Sequence, residues 1–312
     1  MTAQTALKTQ PPLYKSLTGI AELSANEIND ILDLADHYVV QNRRRTQTAA
    51  LLKNMTIINL FLENSTRTRL SFEIAAKRLG ADIVNMAADG SSLRKGETLR
   101  DTLLTINAML PDLVVIRHPE DGAAIEAANA MDCPVINAGD GMGEHPTQAL
   151  LDALTLRRHF GTIDGLNITI CGDILHSRVA KSGAVLLKKL GALVTLAGPK
   201  ELVPPGMPSF TDIGAALKDA DAVMMLRIQK ERLEKALSYS ESDYFKKWGL
   251  TQERIKVMKP DAVVMHPGPM NRGVEIDSAI ADDPKRSLIT TQVEMGVAVR
   301  MACLDLLTRR KR

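Results

Sequence analysis

The residues able to do chemistry gather where short apolar runs end. The segment Glu63-Asn-Ser-Thr-Arg-Thr-Arg69 follows the apolar run 56–62 and precedes a helix-forming stretch, 70–79. It sets the hydroxyls of Ser65, Thr66 and Thr68 around Arg67 where a helix begins. The free backbone N–H groups and dipole of a helix N-terminus attract phosphate, and an arginine adds a charged fork. A capping serine beside a surface arginine is the plain alternative. One cap needs one hydroxyl, however, and three around an arginine favour an anion site. Ser91-Ser-Leu-Arg-Lys-Gly-Glu97 offers Ser91, Arg94 and Lys95, but by itself reads better as a solvated basic turn. Arg117 closes the apolar run 113–117, and Gly139-Asp-Gly-Met-Gly-Glu-His-Pro-Thr-Gln148 puts His145 and Gln148 at a helix start, with Pro146 suited to its first turn. In the second half Cys171-Gly-Asp-Ile-Leu-His-Ser-Arg178, Leu226-Arg-Ile-Gln-Lys-Glu-Arg232 and His266-Pro-Gly-Pro269 again follow apolar runs. Arg178 and Arg227 are each suited to bidentate binding of a carboxylate.

Several common chemistries are missing from the pattern. There is no GxxxxGK[ST] phosphate loop, Glu144 breaks a GxGxxG reading of the glycine segment, and neither HExxH nor GxSxG occurs. No nucleophile–base pair is legible. What remains, arginines and hydroxyls, suits a small and highly anionic substrate set and no cofactor. Lys plus Arg total 39 against 37 Asp plus Glu, a net charge of +2, which gives no general reason to bind nucleic acid or an acidic membrane. Aromatic residues make up 3%, too few for a base-stacking platform. Cys133, Cys171 and Cys303 lie far apart, which argues against a disulfide framework or CxxC metal ligands and fits a reducing cytoplasm. Residues 1–13 show no basic segment leading into an apolar stretch. No run approaches the roughly 18 apolar residues of a membrane span. The expectation is a soluble cytoplasmic protein.

Strand-like runs at 56–62, 83–86, 113–117, 135–137, 167–171, 194–197, 222–226 and 262–265 alternate with amphipathic stretches. Leu99, Leu103, Ile106 and Leu110 mark one face of a helix. Such alternation predicts an α/β fold with parallel sheets flanked by helices. At roughly 100–200 residues per domain, 312 residues suggest two domains. The boundary falls near residues 146–160, where a helix from Pro146 stops at Gly161 before a second alternating series. Residues 199–208 read as an irregular, proline-rich loop. Residues 230–249 read as a long polar loop of the kind that closes over ligands, or as a surface helix and turn. The basic runs 43–45 and 309–312 read as solvated surface. Parallel α/β sheets bind ligands at the carboxyl ends of their strands, where the motifs above fall.

Ser65-Thr-Arg-Thr68 with Arg69 and Ser71-Phe-Glu73 resembles the carbamoyl phosphate signature of the transcarbamoylases, and Arg117 and His145-Pro-Thr-Gln148 strengthen the likeness. It covers nearly the whole chain, from about residue 13. Ornithine-accepting members typically carry His-Cys-Leu-Pro and a Ser-Met-Gly-type loop. Here His266-Pro-Gly-Pro269 and Arg227-Ile-Gln-Lys-Glu-Arg232 stand instead, so the chain is more similar to the aspartate-accepting branch. Extra cations, Arg178, Arg227 and Lys95, suit an acceptor with two carboxylates and would repel the side-chain amine of ornithine.

The resemblance implies a carbamoyl phosphate domain over 1–148, completed by a C-terminal helix of about 290–312 packing back on it, and an aspartate domain over 149–289. It implies transfer of a carbamoyl group to aspartate, the committed step of pyrimidine synthesis, with no cofactor, no metal and no covalent intermediate. Ser65, Thr66, Arg67 and Thr68 would hold phosphate, with Ser91 and Lys95 reaching in from a neighbouring subunit of a homotrimer. Thr68, Arg117 and His145 would donate to the carbonyl oxygen, with Arg67 beside them in the catalytic set. Gln148 and the backbone carbonyls of Gly268 and Pro269 would accept from the carbamoyl NH2 group. Gly268 departs from members with leucine there. Arg178 would take the α-carboxylate and Arg227 with Gln229 the β-carboxylate, with Lys95 also on the aspartate side. A larger assembly with a regulatory or dihydroorotase-like chain is compatible with the family. A scaffold subunit without activity is the alternative of another class, and it would be expected to lose these pocket residues.

Overall fold

The computed structural model describes residues 15–44, 50–87, 96–229 and 238–309. The chain divides into two compact units: one takes the residues up to Thr147 and those from Gly296 onward, the other Gln148–Met295. The first unit runs α1 (Ala25–Arg44), β1 (Thr56–Phe61), α2 (Thr66–Leu79), β2 (Asp82–Ala87), α3 (Leu99–Ala108), β3 (Leu113–His118), α4 (Ala123–Ala130) and β4 (Val135–Asp140). The chain continues through α5 (Pro146–Phe160), β5 (Asn167–Cys171), α6 (Arg178–Lys189), β6 (Leu193–Ala197), α7 (Ile213–Leu217), β7 (Ala222–Met225), α8 (Glu241–Trp248), β8 (Val263–Met265), α9 (Ser278–Ala281) and α10 (Ile289–Thr308). The division falls within α5 and within α10.

Each unit is built on a four-stranded parallel sheet, with order β2-β1-β3-β4 in the first and β6-β5-β7-β8 in the second. Parallel neighbours need long crossovers, which the intervening helices supply. The inner strands β1 and β3 are buried on both faces, as helix-covered parallel sheets require. Leu60, Leu103, Val114, Ile116, Ala124 and Val135 make up much of the first core. Val223, Met225, Tyr244, Trp248, Val264 and Ile276 do so in the second. The fold is therefore the two-sheet α/β architecture expected. Strand ends differ by a few residues from the apolar runs. The largest change is β4, which continues to Asp140, because the side chains of Asn137 and Asp140 bond to one another at 2.9 Å and hold the glycine segment extended.

The second half of α10 packs on α1 in the first unit. Tyr38 donates its hydroxyl to Asp305 at 2.8 Å, and Asp305 also pairs with Arg309 at 3.3 Å. Arg309 is thus not a solvated tail residue: its side chain is 11% exposed, held by a buried carboxylate.

Within 230–249, residues 230–237 lie outside the described residues. The remainder is not a loop. Ser240 and Asp243 form a capping box that starts α8, and Tyr244 and Trp248, four residues apart, bury one helical face. Arg254 then donates to the carbonyls of Phe245 and Gly249, at 3.2 and 2.6 Å, closing the helix at its C-terminal end. Burial holds the Tyr244 hydroxyl well above its ordinary pKa, with Cys171, Glu275 and Asp173 adding to the effect. Residues 199–208 are irregular as expected, apart from a single turn at Lys200–Leu202. The three cysteines are free and buried, and burial pushes the Cys171 and Cys303 thiols up to about 12. Among the described residues no helix is long and apolar enough to cross a membrane.

Tyr38→Phe removes one bond to a buried carboxylate that keeps Arg309. Urea unfolding should show a loss of about 1.5–3 kcal/mol, the usual value of a hydrogen bond to a charged group. An unchanged midpoint would show that the α1–α10 contact does not depend on it.

Candidate active site

In the first unit the segment expected to hold an anion lies at the start of α2. Ser65 is the N-cap of α2 with extended backbone (φ −157°, ψ 90°), yet its hydroxyl makes no cap bond to the helix. An N-cap serine ordinarily spends its oxygen on its own helix. Thr66 and Arg67 are exposed, and Thr68 is buried in the first turn. Arg117, at the end of β3, pairs in register with Phe61, the last residue of β1. Its guanidinium is fixed by Glu63 Oε1 and the carbonyl of Ala138, both at 3.1 Å. His145 is buried just ahead of α5. A Cβ at Gly141 would collide with Asp121, so the turn between β4 and His145 requires glycine there. The strands β1 and β3 flank the point where the strand order reverses, the usual ligand position in an open parallel sheet.

One positioning residue was not legible in the motifs. Arg300 of α10 is buried, donating to Ser71 Oγ at 2.9 Å and to Thr147 Oγ1 at 3.5 Å, with its guanidinium 5.1 Å from the Phe72 ring centroid. It ties the second turn of α2 to the first turn of α5. The available signal was an arginine within the apolar run 295–304 of that helix. Ser91, Arg94 and Lys95 lie outside the described residues.

The second unit repeats the arrangement on its own sheet. The order again reverses between β5 and β7. Arg178 is the first residue of α6, and Ser177 caps that helix by accepting from the Ala180 N–H at 3.1 Å. Here the cap hydroxyl is used, and the guanidinium beside it is the group suited to an anion. Asp173 is paired with His176 at 2.8 Å within the same turn. After β7, Arg227 and Gln229 are exposed on either side of buried Ile228. After β8, Gly268 adopts a left-handed backbone (φ 65°) joined to Pro269 by a cis peptide bond. Glycine suits that φ better than leucine does, which accounts for Gly268. Gln148 is buried and gives its Nε2 to Asp152 Oδ1 at 2.9 Å.

The chain is similar to known proteins along nearly its whole length. Residues 15–158 match the family described as aspartate/ornithine carbamoyltransferase, carbamoyl-P binding domain, and residues 164–307 match its Asp/Orn binding domain. The aspartate carbamoyltransferase catalytic subunit of Sphingopyxis alaskensis is 58% identical over 305 residues, covering 96% of this chain and 89% of that protein. Aspartate transcarbamoylase of Trypanosoma cruzi, solved with carbamoyl phosphate and aspartate, is 30% identical with a TM-score of 0.85, covering 96% of this chain and 99% of that one. Ornithine carbamoyltransferase of Pyrococcus furiosus is 29% identical with the same TM-score of 0.85, covering 94% and 97%. The chain belongs to the aspartate/ornithine carbamoyltransferase family.

The two serines at helix starts should separate. Ser177→Ala removes a working cap and should cost about 1 kcal/mol in denaturant unfolding. Ser65→Ala should leave stability unchanged and weaken inorganic phosphate binding about tenfold, read by calorimetric titration. The reverse pattern would remove Ser65 from the anion site.

Proposed function

We propose that this chain transfers the carbamoyl group of carbamoyl phosphate to the α-amine of L-aspartate, giving N-carbamoyl-L-aspartate and phosphate. The observation that carries the choice of acceptor is a pair of arginines at the carboxyl edge of the second sheet. Arg178 starts α6 and Arg227 follows β7. Two cations match a dicarboxylate and repel a second amine. The carbamoyl phosphate and aspartate bound by the Trypanosoma cruzi relative, and the similarity to catalytic subunits along the full length, support the same reaction.

The amine nitrogen attacks the carbonyl carbon, the N–C bond forms, the C–O bond to phosphate breaks, and one amine proton ends on the departing phosphate. The acceptor is its own nucleophile, so the enzyme acts by positioning and charge stabilisation. In this reading the first unit binds carbamoyl phosphate. Ser65, Thr66, Arg67 and Thr68 take the phosphate, with the N–H groups of α2 beneath it. Thr68, Arg117 and His145 donate to the carbonyl oxygen as it gains negative charge. Glu63 and Ala138 hold the Arg117 guanidinium in one plane, so its donors are oriented before substrate arrives. The second unit binds aspartate, Arg178 taking the α-carboxylate and Arg227 with Gln229 the β-carboxylate. Gln148, Gly268 and Pro269 accept from the carbamoyl NH2. Ser91 and Lys95 complete the site from the next subunit of a homotrimer in the cytoplasm.

The purified chain, given carbamoyl phosphate with L-aspartate or L-ornithine, should release phosphate only with aspartate. Comparable turnover with ornithine would overturn the assignments of Arg178 and Arg227. His145→Ala should retain the fold by circular dichroism and lose about 10²–10³ in kcat, the usual effect of removing one oxyanion donor. Near-normal turnover would take His145 out of the mechanism.

A further inference from the structure

The carbamoyl NH2 group only donates, so the groups that recognise it must be acceptors held lone pair forward. Gln148 has an amide that can face either way, and the Gly268 and Pro269 carbonyls sit on a turn. One buried chain of hydrogen bonds in the second unit fixes them all. Gln148 Nε2 and Gln292 Nε2 both donate to Asp152 Oδ1, at 2.9 and 2.7 Å. The Gln148 amide is thereby oriented with Oε1 as its other end. Gln292 Oε1 accepts the backbone N–H of His266 at 2.9 Å. His266 Nδ1 accepts the N–H of Gly268 at 2.8 Å, so the proton of the neutral ring belongs on Nε2, which faces Glu275 Oε1 at 3.1 Å. The same carboxylate oxygen accepts the backbone N–H of Asn271. Asn271 in turn gives its side-chain amide to the Ile228 carbonyl at 2.9 Å, between Arg227 and Gln229. The side chains of His266 and Glu275 are both fully buried.

We propose that Glu275 is a positioning residue for both substrates. Through His266 it sets the turn that presents the Gly268 and Pro269 carbonyls. Through Asn271 it sets the strand-end segment that carries Arg227 and Gln229. The inference rests on the carbamoyl transfer reading and deepens it. Glu275 lies beyond every motif that marked the site, and its carboxylate reaches substrate only through other residues. Without it, the His266 Nε2–H and the Asn271 N–H are buried donors with no acceptor, a costly state. The ring then relaxes at the expense of its bond to Gly268.

The test uses the full chain and the substitutions Glu275→Leu, Glu275→Gln and Asn271→Ala. Each variant is titrated with inorganic phosphate and with carbamoyl phosphate, and assayed against aspartate. Glu275→Leu should lose about 10²-fold in kcat, the scale of a misplacement near 1 Å. Its carbamoyl phosphate affinity should fall about tenfold while inorganic phosphate binding stays within about twofold, because phosphate is held by Ser65–Thr68 of the other unit. Glu275→Gln keeps an acceptor at Oε1 and should recover most of both losses. Asn271→Ala breaks only the second arm, raising the aspartate KM and leaving carbamoyl phosphate affinity unchanged. If Glu275→Leu does not fold, Glu275→Gln and Asn271→Ala still decide the matter. Equal weakening of phosphate and carbamoyl phosphate in the Glu275 variants, or an unchanged aspartate KM in Asn271→Ala, would overturn the positioning role. A wild-type chain that does not turn over aspartate would instead overturn the reaction itself.

Discussion

Parallel strand pairing is the constraint on which the rest depends. In each sheet every strand ends at the same edge, so the segments that leave the strands emerge side by side. The registers Phe61 with Arg117 and Cys171 with Met225 bring the ends of β1 and β3, and of β5 and β7, level with one another. Both sheets reverse strand order between those pairs, which parts the two following loops and leaves room for a ligand. The same edge receives the N-termini of α2 and α6. One backbone rule therefore sets donor-rich helix starts beside arginines twice, once in each unit. The first is suited to phosphate and the second to a carboxylate.

The groups in that position are held by polar residues the solvent does not reach. Arg300 between α2 and α5, Asp305 between Tyr38 and Arg309, and Asp152, His266 and Glu275 in the second unit are all buried and hydrogen-bonded. Buried charges of this kind are poor stabilisers compared with apolar residues of the same volume. Their value lies in direction. A guanidinium bonded to Ser71 and Thr147, or an imidazole fixed in one tautomer between Gly268 and Glu275, admits one arrangement of the backbone it touches. A site that works by pre-set donors and acceptors needs that rigidity more than it needs stability.

The residue types at the site were legible because they are local. Ser65-Thr-Arg-Thr68, His145-Pro-Thr-Gln148 and His266-Pro-Gly-Pro269 are each four consecutive residues that follow a strand-like apolar run within ten residues. The helix α8 was also present in the sequence, as a capping box followed by two aromatics one turn apart. The density of charge around it left a loop and a surface helix equally open, and the structure takes the helix. Arg300 with Ser71 lies 229 residues apart, Gln292 with Asp152 140 and Tyr38 with Asp305 267, and no spacing rule reaches so far.

What the sequence by itself determined was the chemistry on offer: hydroxyls and cations for anions, a strand–helix alternation that requires parallel sheets, and the family that joins them. These follow from covalent identity and from hydrophobic period, which a chain carries wherever it folds. Only the tertiary structure decided which of those groups are buried, that the Ser65 hydroxyl is not taken up by its own helix while that of Ser177 is, and which end of the Gln148 amide is tied to Asp152. Burial, and the sharing of Asp152 by Gln148 and Gln292, depend on packing and hydrogen bonds between segments far apart in the chain. Such bonds exist only once packing has removed water and brought the partners within 3 Å or so of each other.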